Sequence, residues 1–219
     1  IVNVFNNQKK KLFNKVRTSL LTNRQASAHE ISEALDALSA INTNDIAVIF
    51  MAGHGIRDKD GTYYFLTSDG TLDNPNAGGI SWNLLSGYLN RIKGRVILFL
   101  DTCHSGSIIS ETVVPNDELS QEFFSGKRGG TMVFSASKGR QYSMESPDIG
   151  GGFGIFSYAL TQGLSVKSKD ADQNGNGYVE FMELVEYVSK YVDNTTNGEQ
   201  TPWLTRKELF GDLPLVAVE

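Results

Sequence analysis

A chain of 219 residues that is 40% hydrophobic and 21% charged can bury one substantial core and is too apolar for wholesale disorder. Its formal charge of −5, from 25 acidic against 20 basic residues, gives nucleic-acid binding no electrostatic support. No apolar run approaches the roughly 20 residues of a membrane span, and no basic-then-apolar leader opens the sequence. The single cysteine, Cys103, can form neither an internal disulfide nor a multi-cysteine zinc site, and it fits a reducing compartment, here expected to be the cytoplasm.

The elements follow in chain order. Ser27 and Glu30 have capping-box spacing, and Ile31, Ala34, Leu35 and Leu38 follow on one helical face. Residues 46–52 (IAVIFMA) form an apolar run without alternation, the mark of a strand covered on both faces. The turn-like Asp58-Lys59-Asp60-Gly61 precedes a more polar stretch, 61–67, expected as an edge hairpin. Ser81 opens a second helix with Leu84, Leu85, Tyr88, Leu89 and Ile92 as its apolar stripe. Residues 96–100 (VILFL) and 131–136 (TMVFSA) are further buried strands, separated by a long polar loop, 105–130. After a second irregular stretch, 139–152, helices are expected over 153–164 and 179–192, the latter with Phe181, Leu184, Val185 and Val188 inward. A last apolar run, 214–218, is a fourth strand. Strand–helix alternation predicts an α/β domain with a mainly parallel sheet and helices on both faces.

Cys103 directly follows the 96–100 strand, and His54 directly follows the 46–52 strand. Parallel neighbours would bring both to one carboxyl rim of the sheet, where open α/β folds build their sites. A thiolate is a nucleophile, and an imidazole beside it can take the thiol proton and return it to a leaving amine. The glycines flanking His54 allow a sharp turn and close approach of a substrate. The N–H groups of Gly55 and Cys103 can both face an oxyanion. His104 is a competing base, although alternation along a strand would turn it to the other face. From the residues alone, two readings stand level: a nucleophile with its base, or a buried thiol with a satisfied loop histidine.

The motifs Met51-Ala-Gly-His54-Gly and Leu100-Asp-Thr-Cys103-His-Ser-Gly resemble the caspase-like cysteine peptidases, nearest to the metacaspase, paracaspase and bacterial orthocaspase branch. The resemblance runs on through Phe134-Ser-Ala-Ser, Gly154-Ile-Phe-Ser-Tyr and Gly211-Asp-Leu-Pro-Leu. It implies a three-layer α-β-α sandwich over residues 1–219, in which a large-subunit-like part (about 1–115) and a small-subunit-like part (about 129–219) flank a linker at about 105–130. It also implies that the first strand and part of the first helix are missing, residues 1–16 being that helix's tail and the strand coming from another segment. By resemblance His54 and Cys103 form the catalytic dyad, and Gly55 N–H joins the oxyanion donors. Asp101 then lines the pocket for the residue before the cut and selects Arg or Lys, with Glu145 as a second carboxylate. Gly139 and Arg140 depart from the branch at places that are often acidic. Lys127 and Arg128 in the linker are candidate self-cleavage points of a zymogen.

Residues 172–183 fit the EF-hand loop template. Asp172, Asn174 and Asn176 would be side-chain ligands, Tyr178 would offer its carbonyl, Glu180 would act directly or through water, and Glu183 would be bidentate. Against calcium stand a single loop, two neutral ligands and a distant preceding helix; an Asn/Gly turn capping the next helix is the plain alternative. No cofactor is required for the chemistry, and Ca2+ is an optional ligand. The expected partners are protein or peptide substrates and further segments of the same protein, with no nucleic acid and no membrane, and the fragment is expected to be a monomer. Two non-peptidase alternatives remain, a non-catalytic module keeping the fold and a calcium-responsive signalling domain.

Overall fold

The computed structural model describes residues 1–103, 130–138, 141, 143–146, 149, 152, 154–206 and 213–218, with the backbone alone for Cys103 and Arg206. The chain divides into two compact units that interleave along the sequence. One is made of residues 21–143 and 203–208, the other of residues 1–20, 144–202 and 209–219.

The first unit holds a six-stranded sheet. Its strands are β1 (Ile46–Arg57), β2 (Tyr63–Leu66), β3 (Gly79–Ser81), β4 (Arg95–Cys103), β5 (Thr131–Ser135) and β7 (Trp203–Arg206), in the order β3-β2-β1-β4-β5-β7. The centre is parallel, β1 with β4 and β4 with β5, and the flanking pairs are antiparallel. The expectation of a mainly parallel core sheet therefore holds, with one change at the margin. The 61–67 hairpin is real, but β2 lies inside the sheet and the three-residue β3 is the edge. The hairpin closes through Asp58 N–H to Thr62 O at 2.9 Å and Gly61 N–H to Asp58 O at 3.1 Å, with Gly61 at φ 84°. Only glycine takes that left-handed position at no cost, so Asp-Lys-Asp-Gly sets the turn.

Helices α2 (Ala28–Ala37) and α3 (Trp82–Arg91) cover one sheet face. Ser27 and Ser81 cap them, accepting from Glu30 N–H and Leu84 N–H at 3.2 Å each. The core on this face joins Leu35, Leu85, Leu89 and Trp82 to Ala47, Met51, Leu98, Leu100 and Val133. Leu84, expected in the α3 stripe, is exposed; the stripe is carried by Leu85, Leu89 and Ile92. From Val96 to Thr102 β4 is buried on both faces, and Phe99 meets Phe134 edge-on at 6.4 Å on the face away from α2 and α3.

The second unit contains α1 (Val2–Asn7), α4 (Ile155–Gly163), α5 (Ser168–Ala171), β6 (Tyr178–Glu180), α6 (Phe181–Thr196) and β8 (Pro214–Ala217). Here two expectations are corrected. The 214–218 run is a strand, but β8 pairs with β6 in a separate two-stranded sheet. Residues 1–16 are not one helix: α1 ends at Asn7, and Gln8 turns the chain, accepting at its Oε1 from Ala217 N–H at 2.9 Å. Helices α4 and α6 pack closely at Gly163, where a Cβ would stand 2.8 Å from the Tyr187 ring. Residues 105–129 of the loop, with Lys127 and Arg128, and also His104, Gly139, Arg140, Gly211 and Asp212 lie outside the described residues. No described helix is long and apolar enough to cross a membrane.

Candidate active site

The β1–β4 ladder runs in unbroken register from Ile46 against Arg95 to His54 against Cys103. Neighbouring strands stand ~4.8 Å apart, so the backbones of the two candidate residues are side by side at the carboxyl ends of adjacent parallel strands. His54 is solvent-exposed there. The register places positions 101 and 103 on one face of β4 and position 102 on the other.

The direction of the Gly55 N–H follows from the ladders. Arg95 N–H donates to Asp45 O at 3.0 Å, so alternate β1 residues from Asp45 onward turn their backbone groups to β4, and Gly55 is one of them. The hairpin agrees, because the Asp58–Thr62 bond makes Gly55–Phe65 a pair without mutual hydrogen bonds. Gly55 N–H is therefore directed to the side on which Cys103 lies.

The flanking glycines have a cause that the sequence did not disclose. Neither lies in a turn: both are inside β1, and neither has positive φ. Close packing from the core excludes a side chain at Gly55 and crowds one at Gly53. A Cβ on Gly55 would fall 1.7 Å from the Tyr63 hydroxyl, and one on Gly53 would fall 3.0 Å from the Phe65 ring. Tyr63 in turn abuts Trp82 edge-on, at 5.1 Å and 85°. The Tyr63 hydroxyl and Thr102 Oγ1 are both fully buried on this face, and neither makes a regular hydrogen bond. Burial pushes the Tyr63 phenol up to about 12, with the nearby Thr102 hydroxyl pulling weakly the other way.

Asp101 is 5% exposed and accepts a hydrogen bond at Oδ1 from the Ser143 hydroxyl at 2.5 Å. Ser143, itself buried, gave no signal in the sequence, because 42 residues separate it from Asp101. Glu145, the second expected pocket carboxylate, is exposed and belongs to the other unit, where it bridges Gly154.

The 172–183 loop has its own order. Asp172 Oδ1 accepts from Gly175 and Asn176 N–H and its Oδ2 from Gly177 N–H. Asn174 Oδ1 accepts from Asn176 N–H, and Asn176 Oδ1 from Tyr178 N–H. Glu183 accepts from Gln173, Asn174 and Glu180 N–H, forming with Glu180 the capping box of α6. The Asn174 and Asn176 amides both donate to Glu180. Burial, and then the hydrogen bond with Glu183, raise the Glu180 carboxyl above its ordinary value. The plain alternative for this loop, a helix cap, is thus present, with the cap on Glu180 and Glu183. Among the His, Cys, Asp and Glu side chains of the described residues, the one trio with converging atoms is His29, Glu30 and Glu33, exposed on α2.

A family model of the caspase domain matches residues 7–214. The chain belongs to the caspase domain family. Membership supports a cysteine peptidase, a hydrolase. The crystal structure of protein GSU0716 from Geobacter sulfurreducens is similar in fold, with a TM-score of 0.58 at 17% identity over 92% of this chain and 83% of that one. No curated protein sequence matches this caspase domain.

Proposed function

We propose that this caspase domain is a cysteine endopeptidase in which His54 and Cys103 are the catalytic pair and the residue before the cut is Arg or Lys. The observation behind the pair is the register of His54 against Cys103 at the carboxyl ends of β1 and β4. The chemistry is acyl transfer. The Cys103 thiol gives its proton to the His54 imidazole, and the sulfur attacks the scissile carbonyl. The tetrahedral oxyanion is met by the N–H groups of Gly55 and Cys103. On collapse the C–N bond breaks, His54 protonates the leaving amine, and a thioester remains. Water, deprotonated by His54, then hydrolyses the thioester and releases the acid and the thiol. In the ladder Gly55 N–H is aimed at the Cys103 backbone, so binding exchanges that contact for the oxyanion.

Basic selectivity is supported by Asp101. It sits two residues before Cys103 on the same face of β4, ~6.6 Å down the strand. That offset suits the long stem of Arg or Lys and is beyond a substrate Asp. A carboxylate this buried attracts a cation more strongly than one in water. Lys127 and Arg128 would themselves be substrates in self-processing. The test is turnover of matched fluorogenic peptides ending in Arg, Lys or Asp, with Cys103→Ala and His54→Ala as controls. Cleavage after Arg or Lys that both variants abolish is expected. Cleavage surviving Cys103→Ala would sink the dyad, and cleavage after Asp alone would sink the pocket.

Calcium at the 172–183 loop is a second, separate proposal. It is favoured by the gathering of Asp172, Asn174 and Asn176 oxygens on one loop, with Gly177 at φ 87° at the turn. Glu183 would have to leave its capping contacts to become a ligand.

A further inference from the structure

We propose that Ser143 is a specificity-positioning residue, whose hydroxyl fixes the Asp101 carboxylate in the orientation that receives a substrate's basic side chain. This rests on the reading of Asp101 as the pocket carboxylate and adds the residue that makes it selective.

Four observations lead there. The Ser143 hydroxyl donates to Asp101 Oδ1 at 2.5 Å, within the short range of hydrogen bonds from O–H to a carboxylate. Both residues are buried, Asp101 at 5% and Ser143 at 7% exposure, so the bond is shielded from competing water. The donor is neutral: a hydroxyl orients a carboxylate without adding a positive charge that would compete with an arriving guanidinium or ammonium. Finally, Ser143 lies in an anchored segment. Ala136 N–H donates to Leu100 O at 2.8 Å, one residue before Asp101. Beyond it the Ser137 hydroxyl donates to Gln141 O at 2.9 Å, Gln141 N–H donates to Lys138 O at 3.2 Å, and the Lys138 ammonium caps the Trp203 ring at 4.3 Å. Described residues just before Ser143 are thus tied to the end of β4 and to β7, and its hydroxyl reaches one carboxylate oxygen.

A fixed carboxylate matters because a guanidinium binds it in a plane. A carboxylate free to rotate offers the same charge but loses part of the binding to reorganisation. Ser143 should therefore act on discrimination between charged and uncharged side chains, and on KM more than on kcat, because it does not touch the reacting atoms.

The experiment compares peptides with Arg or citrulline, its uncharged isostere, before the cut, using the full chain. Wild type should strongly prefer Arg, and Asp101→Asn should bring the two substrates close to parity. Ser143→Ala should lower the Arg-to-citrulline ratio of kcat/KM by about tenfold, mainly through KM, and Ser143→Thr, which keeps the hydroxyl, should restore most of it. If Ser143→Ala fails to fold, Ser143→Cys keeps the volume with only a weak donor and carries the same expectation. A ratio unchanged in Ser143→Ala while Asp101→Asn collapses it would overturn the proposal and leave the pocket reading standing. A Thr variant as impaired as Ala would reduce the effect to packing and overturn it as well. A wild type with no preference for Arg would remove the pocket reading, and this proposal with it.

Discussion

Replacing Gly55 by alanine isolates the packing behind the candidate oxyanion donor. Inside a strand alanine normally costs less conformational entropy than glycine, so without a steric conflict the change should be neutral or mildly stabilising. At this position the new Cβ would stand 1.7 Å from Tyr63 Oη, 2.4 Å from Cζ and 2.7 Å from Cε2. These are atoms of a rigid ring, not the end of a flexible chain, and the ring is backed by Trp82 at 5.1 Å, itself buried. Either the ring moves into that contact or β1 moves towards β4. Overpacking of this kind costs roughly 1–3 kcal/mol, and with three conflicts about 3 kcal/mol is expected. In a domain of this size that lowers Tm by roughly 6–12 °C. Urea denaturation followed by tryptophan fluorescence measures it, with Trp82 as a reporter beside the conflict. Tyr63→Phe is the companion. It removes a buried hydroxyl that makes no regular hydrogen bond, so stability should stay within about 1 kcal/mol of wild type. It leaves Cζ in place, so Gly55→Ala should remain destabilising in that background. A Gly55→Ala protein within about 1 kcal/mol of wild type would refute the reasoning.

Three further outcomes are expected. Gly87 lies in α3 with nothing within 4 Å of an added Cβ, so Gly87→Ala should stabilise by about 0.5–1 kcal/mol, visible as a higher urea midpoint with unchanged slope. Asp69 is held below the usual carboxylate range by the Thr67 hydroxyl at 2.6 Å and then by Ala28 N–H at 2.9 Å. Its folded pKa is depressed, so its contribution is complete above the ordinary value of 3.8 and is lost as pH falls through the folded value. Melting curves from pH 6 to pH 2 should therefore fall less steeply for Asp69→Asn than for wild type, and equal slopes would count against that bond. Millimolar calcium should raise Tm by on the order of 5 °C if the 172–183 loop binds it. Glu183→Gln should abolish the shift, whereas an unshifted wild type would leave the loop as a helix cap alone.

What the sequence made legible was local or compositional. Ser27 and Ser81 announce α2 and α3 because a cap needs only its own first turn. The run from Val96 to Leu100 announces a strand buried on both faces because no other placement hides so many apolar side chains. Placing His54 and Cys103 on one rim needed just the assumption that two such strands are parallel neighbours. The misreadings share one cause, which is that pairing and packing are decided by distant residues. The 214–218 run is as apolar as a strand of the main sheet, yet its partner is the short β6 beside α6. The hairpin stretch looked like an edge because nothing in it foretells β3.

The glycines beside His54 show the same limit at the site itself. Glycine next to a catalytic candidate has two physical explanations, a special backbone angle or an intruding neighbour, and the sequence favoured the first. The ordinary φ of Gly53 and Gly55 and the rings of Phe65 and Tyr63 give the second. Asp101 repeats the lesson with polarity in place of volume. Its spacing from Cys103 can be read along one strand, but the hydroxyl that holds it comes from 42 residues away. The proposed catalytic pair can therefore be read from the ends of β1 and β4. The geometry of the pocket depends on what the far side of the chain brings to them, and so substitutions at Tyr63 and Ser143 test the site more sharply than further changes around Cys103.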